Sequence, residues 1–434
     1  MIIRKKSKLK ITLSLLIVAI SAGFLTACSV RSENDDDLTE AGEVLYEDKT
    51  SQVEFSWWGT DERHKYYIEG ISKFMKLNPD IRVETSYGVW DGYERRNRIA
   101  MASKTEADVM LINYSWLDEF SGDGDGYYDL NSLSDIIDLS QFSESDLSYG
   151  TRNGKLNAIP LAYNTTIFLY NSDIYKKYGL DIPKTWDDLF YAAQVMGKDG
   201  VYPIGMVKKQ FFLTMVAHYE QSSGKKVFST GGRLNITVDG VREMLEFYKS
   251  LVDNKVMKPI GQFDTNSFLS GESAGIACWI NDAVKYGKSL DNNLQSVKCG
   301  EFITMDGVNY SGWYKKPATM YAMSKRTKYP KEAARLMEYL LNDEDFAKEQ
   351  GIEKGFPVSR KANDTVKKYV NIPDFALEAN DIVNNESYNL EIMPSEMENV
   401  DVINAFREGA DKYVYGDGSL DECAFEIIKA MRKT

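Results

Sequence analysis

Residues 53–85 read VEFSWWGTDERHKYYIEGISKFMKLNPDIRVET, and the fold class follows from how this stretch alternates. Val53-Glu54-Phe55-Ser56-Trp57 alternates apolar and polar side chains, as a half-buried strand does. From Asp61 to Leu77 the period changes. Tyr67, Ile71, Phe74 and Met75 fall on one helical face. Asn78-Pro79-Asp80 then breaks the helix, because proline lacks the amide proton and clashes with the preceding turn. Ile81-Arg82-Val83-Glu84-Thr85 returns to strand. A strand, a helix and a strand in this order predict a parallel or mixed α/β sheet, in which ligands sit at the carboxyl ends of the strands.

Working outward, the alternation continues. Trp90 is read as the end of the second strand, and a helix is expected from about Gly92 with Asp91 as N-cap. Ala107–Ile112 reads as a third strand. Further on come a strand at Ile167–Tyr170, a helix from Asp173, and a helix opened by Thr185 and Asp188 as a capping box. A helix at Asp239–Val252, strands at Ala274–Trp279 and Thr319–Met323, and a helix at Pro330–Leu341 follow. No internal repeat is evident. The glycine–aspartate run at 122–126 fails the EF-hand spacing and is read as a solvated loop.

The two ends and the charge narrow the function classes. Arg4, Lys5, Lys6, Lys8 and Lys10 precede an apolar stretch, Ile11–Phe24, that is short for a membrane span. It leads to Leu25-Thr26-Ala27-Cys28, which resembles a bacterial lipobox. Residues 1–27 are therefore expected to be a lipoprotein signal, with Cys28 lipidated. Residues 28–50 are expected to be a flexible tether, reaching about 25 Å. Without residues 1–27 the chain keeps 47 basic and 65 acidic groups, a net charge of −18. That balance argues against nucleic acid and against adhesion to an anionic membrane through protein charge. Cys278, Cys299 and Cys423 remain; Cys278 and Cys299 could pair, or stay as buried thiols. No cofactor motif or metal-ligand spacing is present.

Several short blocks, taken in order, resemble the extracellular solute-binding proteins of carbohydrate ABC importers, the group that contains maltose-binding protein. They are Phe55-Ser56-Trp57-Trp58-Gly59, Asn78-Pro79-Asp80-Ile81-Arg82-Val83, Trp90-Asp91-Gly92-Tyr93 and Ala107-Asp108-Val109-Met110. Tyr170-Asn171, Tyr178-Gly179-Leu180 and Pro183 to Leu189 follow, then Gly271 to Ile276, Lys331 to Arg335 and Gly355-Phe356-Pro357-Val358. Thr60 departs from the glycine expected there, and Gly275 from the commoner alanine. The resemblance implies a two-lobed, periplasmic-binding-protein-like α/β fold, with discontinuous lobes joined by a hinge. The first lobe would comprise 51–162 and 316–362, the second 163–315 and 363–434. Bound ligand would favour closure. The implied role is a monomeric, lipid-anchored receptor on the outer face of the cell membrane of a bacterium, Gram-positive by this reading. It would hand a sugar, an oligosaccharide by preference, to permease subunits.

Sugar recognition needs flat aromatic rings under the C–H faces and planar polar groups for the hydroxyls. Candidates at strand ends or crossings are Trp58, Asp61, Arg63, His64, Trp90, Asn113, Tyr114, Asn164, Trp279, Asp282 and Trp313. Trp186, at a helix start, is assigned to core packing. Catalysis is not expected. There are two histidines, His64 and His218, and no nucleophile elbow or phosphate loop. A glycoside-hydrolase-like lipoprotein and a receptor for a peptide or polyamine are the alternatives.

Overall fold

The computed structural model describes residues 50–433, apart from 230–231, 292–295, 309–310 and 389. The expected signal, the lipidation at Cys28 and the tether fall outside the described residues. Eleven strands are described: β1 (Ser51–Trp58), β2 (Ile81–Gly88), β3 (Val109–Ile112), β4 (Thr151–Arg152), β5 (Lys155–Leu156), β6 (Ala158–Asn171), β7 (Gly205–Met206), β8 (Gly275–Trp279), β9 (Val297–Gly300), β10 (Tyr314–Met323) and β11 (Glu391–Ile392).

Strands β1, β2 and β3 pair in parallel, as the opening stretch predicts. The helix Asp61–Leu77 joins the first two and buries Tyr67, Ile71 and Phe74 against the sheet. The long strand β6 links two sheet regions. Its first half pairs antiparallel with β10, from Ala158↔Ala322 to Thr165↔Lys315. Its second half pairs with β8 on one side and β9 on the other. The strand order is β2-β1-β3-β10-β6-β8-β7, with β11 beside β10 and β9 beside β6.

Apolar side chains form separate cores around the two regions. Val53, Phe55, Trp57, Leu111, Tyr321 and Met337 belong to a core on the first. Phe168, Trp186, Phe211, Tyr248, Trp313 and Phe406 belong to a core on the second. The capping box is present: Asp188 N donates to Thr185 Oγ1 at 3.1 Å, and Thr185 N donates to Asp188 Oδ2 at 2.9 Å. Trp186 is 4% exposed, and its indole N–H donates to Gln221 Oε1 at 2.8 Å.

Three boundaries differ from the sequence reading. Strand β6 begins at Ala158, nine residues before the expected start at Ile167. Strand β2 ends at Gly88, and Trp90 opens the helix Trp90–Ser103 with Val89 as N-cap, so Asp91 lies inside the first turn. There its carboxylate favours the positive helix end without capping it. Strand β10 begins at Tyr314, five residues before the expected start.

Cys278, Cys299 and Cys423 are free thiols. Cys278 on β8 faces Ile167, and Cys299 on β9 faces Leu169, so β6 lies between them. Two strand spacings amount to about 10 Å, beyond the reach of a disulfide. No described helix is long and apolar enough to cross a membrane.

Candidate binding cleft

The parallel strands β1 and β3 end at Trp58 and Ile112, at the same edge of their sheet. The chain that follows each places an aromatic group there. Trp58 packs edge-on to Trp90 at 5.0 Å between ring centroids and lies 6.0 Å from Trp116. Trp90 and Trp116 are nearly parallel, 5.8 Å apart with 17° between their planes. Tyr93 completes the cluster, 5.3 Å from Trp58. Such packing fixes ring orientation before any ligand arrives, which lowers the ordering cost of binding.

From this cluster Trp90 and the edge of the buried Trp116 reach a cavity of about 680 Å3, which Asn113, Lys209, Glu398 and Asn399 also line. A second cavity of about 800 Å3 shares Ser395 and Glu396 with it. Tyr114, Tyr149, Arg152, Lys226, Tyr314 and Lys315 line the second. The two adjoin at these shared residues, and their combined lining is aromatic, cationic and anionic.

Of the residues expected from sequence, Trp90 and Asn113 line the first cavity and Tyr114 the second. Trp58 supports the aromatic cluster. Asn113 Oδ1 accepts from the Ser115 amide and hydroxyl, each at 3.1 Å. Trp279 is partly buried and has Lys316 and Lys209 at 5.6 and 5.8 Å from its ring centroid. Asn164 is buried on β6 opposite Lys316. Asp282 is partly buried in the first turn of the helix Ile280–Asp291, and burial pushes its carboxyl up against the opposing pull of Lys285.

Asn164, Trp279 and Asp282 line neither cavity, and four further expected contacts are placed elsewhere. Asp61 is exposed at the start of its helix. Arg63 is committed within the protein: its Nε donates to Glu353 Oε2 at 2.9 Å, Nη2 to Oε1 at 3.0 Å, and Nη1 to the Trp58 carbonyl at 3.1 Å. His64 Nδ1 accepts from the Trp57 indole at 3.1 Å. Trp313 is a correction. It is 2% exposed, edge-on to Phe168 at 5.3 Å, and its indole donates to the Ile303 carbonyl at 2.9 Å. A ring so enclosed fills a core. The extra residues at the start of β10 put Trp313 before a strand, where the second core closes over it.

Sequence reasoning missed the charged wall. Lys316 Nζ lies 2.6 Å from Glu398 Oε2, and Lys209 Nζ lies 3.0 Å from Oε1. Burial alone would push Glu398 up, but Lys316 and Lys209 outweigh it and hold the carboxyl below its usual range. Lys226 pairs with Glu391 at 2.5 Å and Arg152 with Asp118 at 2.7 Å. None of these residues lies in a motif. Lysine at the β6–β10 crossing was the available signal. Among the described residues no group of three or more histidine, cysteine or carboxylate side chains could hold a metal ion.

Comparison with known proteins agrees with this architecture. The bacterial extracellular solute-binding protein family matches residues 69–374. The arabinooligosaccharide-binding protein of Bacillus subtilis is 27% identical over 222 residues, 49% of this chain and 50% of that protein. The chain spans about half the length of the curated relatives it matches. A solved periplasmic solute-binding protein from Pectobacterium atrosepticum is 30% identical, with a TM-score of 0.80 over 88% of this chain and 98% of that one. A periplasmic oligogalacturonide-binding protein from Yersinia enterocolitica, solved with saturated digalacturonic acid, is 28% identical. Its TM-score is 0.77, again over 88% and 98%. The α/β fold is the two-lobed one of these binding proteins. By the family match and the shared fold, the chain belongs to the bacterial extracellular solute-binding proteins.

Proposed function

We propose that the protein is the lipid-anchored substrate-binding component of an ABC importer, capturing an oligosaccharide between two lobes and delivering it to the permease. One observation carries this reading: the part-buried Trp90, held edge-on by Trp58 and backed by the buried Trp116, lines the first of two joined cavities whose other lining is polar and charged. An indole fixed in orientation suits the C–H face of a sugar ring, and two adjoining cavities of about 680 and 800 Å3 suit more than one ring. The ligands named for the Bacillus and Yersinia relatives are oligosaccharides, which supports the same class here. Strands β6 and β10 serve as crossings between a lobe of 51–162 and 316–362 and a lobe of 163–315 and 363–434. The separate cores around the two sheet regions support that division. Cys28 holds the anchor, on the outer face of the membrane.

The test is calorimetric titration of the purified chain with a panel of neutral and acidic oligosaccharides, with product analysis on the same samples. Stoichiometric heat without new products supports a receptor. New products make the protein an enzyme, and no heat from any sugar removes the carbohydrate reading.

A further inference from the structure

Five basic side chains line the two cavities of the cleft: Arg98, Lys209, Arg152, Lys226 and Lys315. Four are committed to carboxylates. Arg98 meets Glu94 and Glu119, Lys209 meets Glu398, Arg152 meets Asp118, and Lys226 meets Glu391. Lys315 is different. Its ammonium sits 4.8 Å from the centroid of the Tyr163 ring, and among the described residues no carboxylate lies within ion-pair distance. Asp146, whose field reaches it, accepts the Tyr163 hydroxyl instead.

Lys315 is also partly withdrawn from water. Burial pushes its ammonium down, with Asp146 only partly opposing. A half-buried cation in direct contact with a ring face, with Asp146 acting only from beyond ion-pair distance, has lost hydration that no direct anion contact replaces. An anion entering the cavity would restore that interaction. Around it stand Tyr114, Tyr149 and Tyr314, with Glu396 at the seam of the two cavities. Carboxylates and tyrosine hydroxyls can accept from or donate to sugar hydroxyls, but neither replaces a counter-ion for Lys315.

We infer that the cleft takes an acidic oligosaccharide, one uronic-acid carboxylate of which pairs with the Lys315 ammonium. This rests on the carbohydrate reading above and specifies its ligand class. Lys315 is thus a specificity-determining residue, while the aromatic cluster serves any sugar.

The experiment compares trigalacturonate with its methyl ester, which keeps the rings and removes the charges. Both are titrated into wild type, Lys315→Gln and Lys315→Arg. Wild type should prefer the acid by about tenfold or more, the scale of a charge-assisted hydrogen bond. The preference should collapse toward one in Lys315→Gln and survive in Lys315→Arg. Equal affinity of wild type for acid and ester overturns the inference. So does a Lys315→Gln protein that keeps the preference. Binding of neutral oligosaccharides without uronate binding also overturns it, while leaving the receptor reading intact. Silence with every sugar removes both.

Discussion

Replacing Trp313 by alanine separates a core ring from a binding ring. The indole is 2% exposed and packed between Phe168, at 5.3 Å and 82°, and Phe302, at 5.8 Å and 29°. Truncation strips away about 200 Å2 of buried apolar surface, roughly 5 kcal/mol at 25 cal/mol per Å2. The Ile303 carbonyl loses the indole donor it had at 2.9 Å but keeps the Gln221 Nε2 donor at 3.1 Å, so the lost hydrogen bond adds about 1 kcal/mol at most. Unfolded-state burial trims the area figure, so a loss of about 4–5 kcal/mol is expected. For a cooperative unit of a few hundred residues that is a fall in Tm of roughly 10–20 °C. Trp186→Ala, from the same core, should match it. Trp279→Ala removes a partly exposed ring and should cost less stability. Thermal melting by circular dichroism, with sugar titration of the folded fraction, measures both effects. A Trp313→Ala protein that melts within a few degrees of wild type but no longer binds sugar would refute the core assignment.

Three further outcomes are expected. Arg63→Ala and Glu353→Ala should each lower stability by about 2–4 kcal/mol, because each leaves a part-buried charge unpaired; denaturant melts of the double variant should show much less than the sum, and strict additivity would break the proposed coupling. The second concerns pH. Burial holds the His218 imidazole down at about 4, so the unfolded chain takes up a proton that the folded one refuses, and stability falls as pH drops from the ordinary 6.5 toward 4. Burial pushes the Glu220 carboxyl up to about 7 against Tyr314, the Val227 amide and Lys226; the folded chain then keeps its proton longer, and stability falls as pH rises from 4.5 toward 7. Each is worth about 3 kcal/mol at most and they oppose, so relative to wild type His218→Gln should tilt denaturant midpoints toward acid and Glu220→Gln toward neutral pH; tilts of the same sign would contradict the scheme. Third, Cys28→Ser should release a folded protein from the cell surface, and a variant retained on membranes by fractionation would argue against the lipid anchor.

What could be read in the sequence was local. The 2.0 and 3.6 periods gave the parallel β1–β2–β3 unit and the helix between its first two strands. The hydroxyl–carboxylate spacing gave the Thr185–Asp188 cap. Aromatic residues after strand ends gave the Trp58–Trp90 pair, although Trp90 belongs to a helix. What could not be read was pairing over distance. Arg63 and Glu353 are 290 residues apart, and Lys209 and Glu398 are 189 apart. No periodicity carries such information, so neither the Arg63–Glu353 pair nor the place of Glu398 beside Lys209 is legible along the chain. Trp313 shows the same limit from the other side, since burial depends on what closes over a ring.

The two lysines at the crossing show how much a register decides. Lys315 and Lys316 are adjacent on β10, so the pleat sends their side chains to opposite faces. Lys316, facing Glu398 and the Trp279 ring, is a buried structural cation. Lys315, facing Tyr163 and the second cavity, has no such partner. The pairing of β10 with β6 shifts between Pro317 and Thr319, and again between Thr319 and Met320. Those irregularities fix the face on which each lysine emerges relative to the rest of the strand. A slip of one residue would exchange the two environments: Lys315 would take the carboxylate and Lys316 the open cavity. Since the chemical groups are identical, composition cannot distinguish the structural lysine from the ligand-reading one. The strand register makes that distinction, and it requires the tertiary fold.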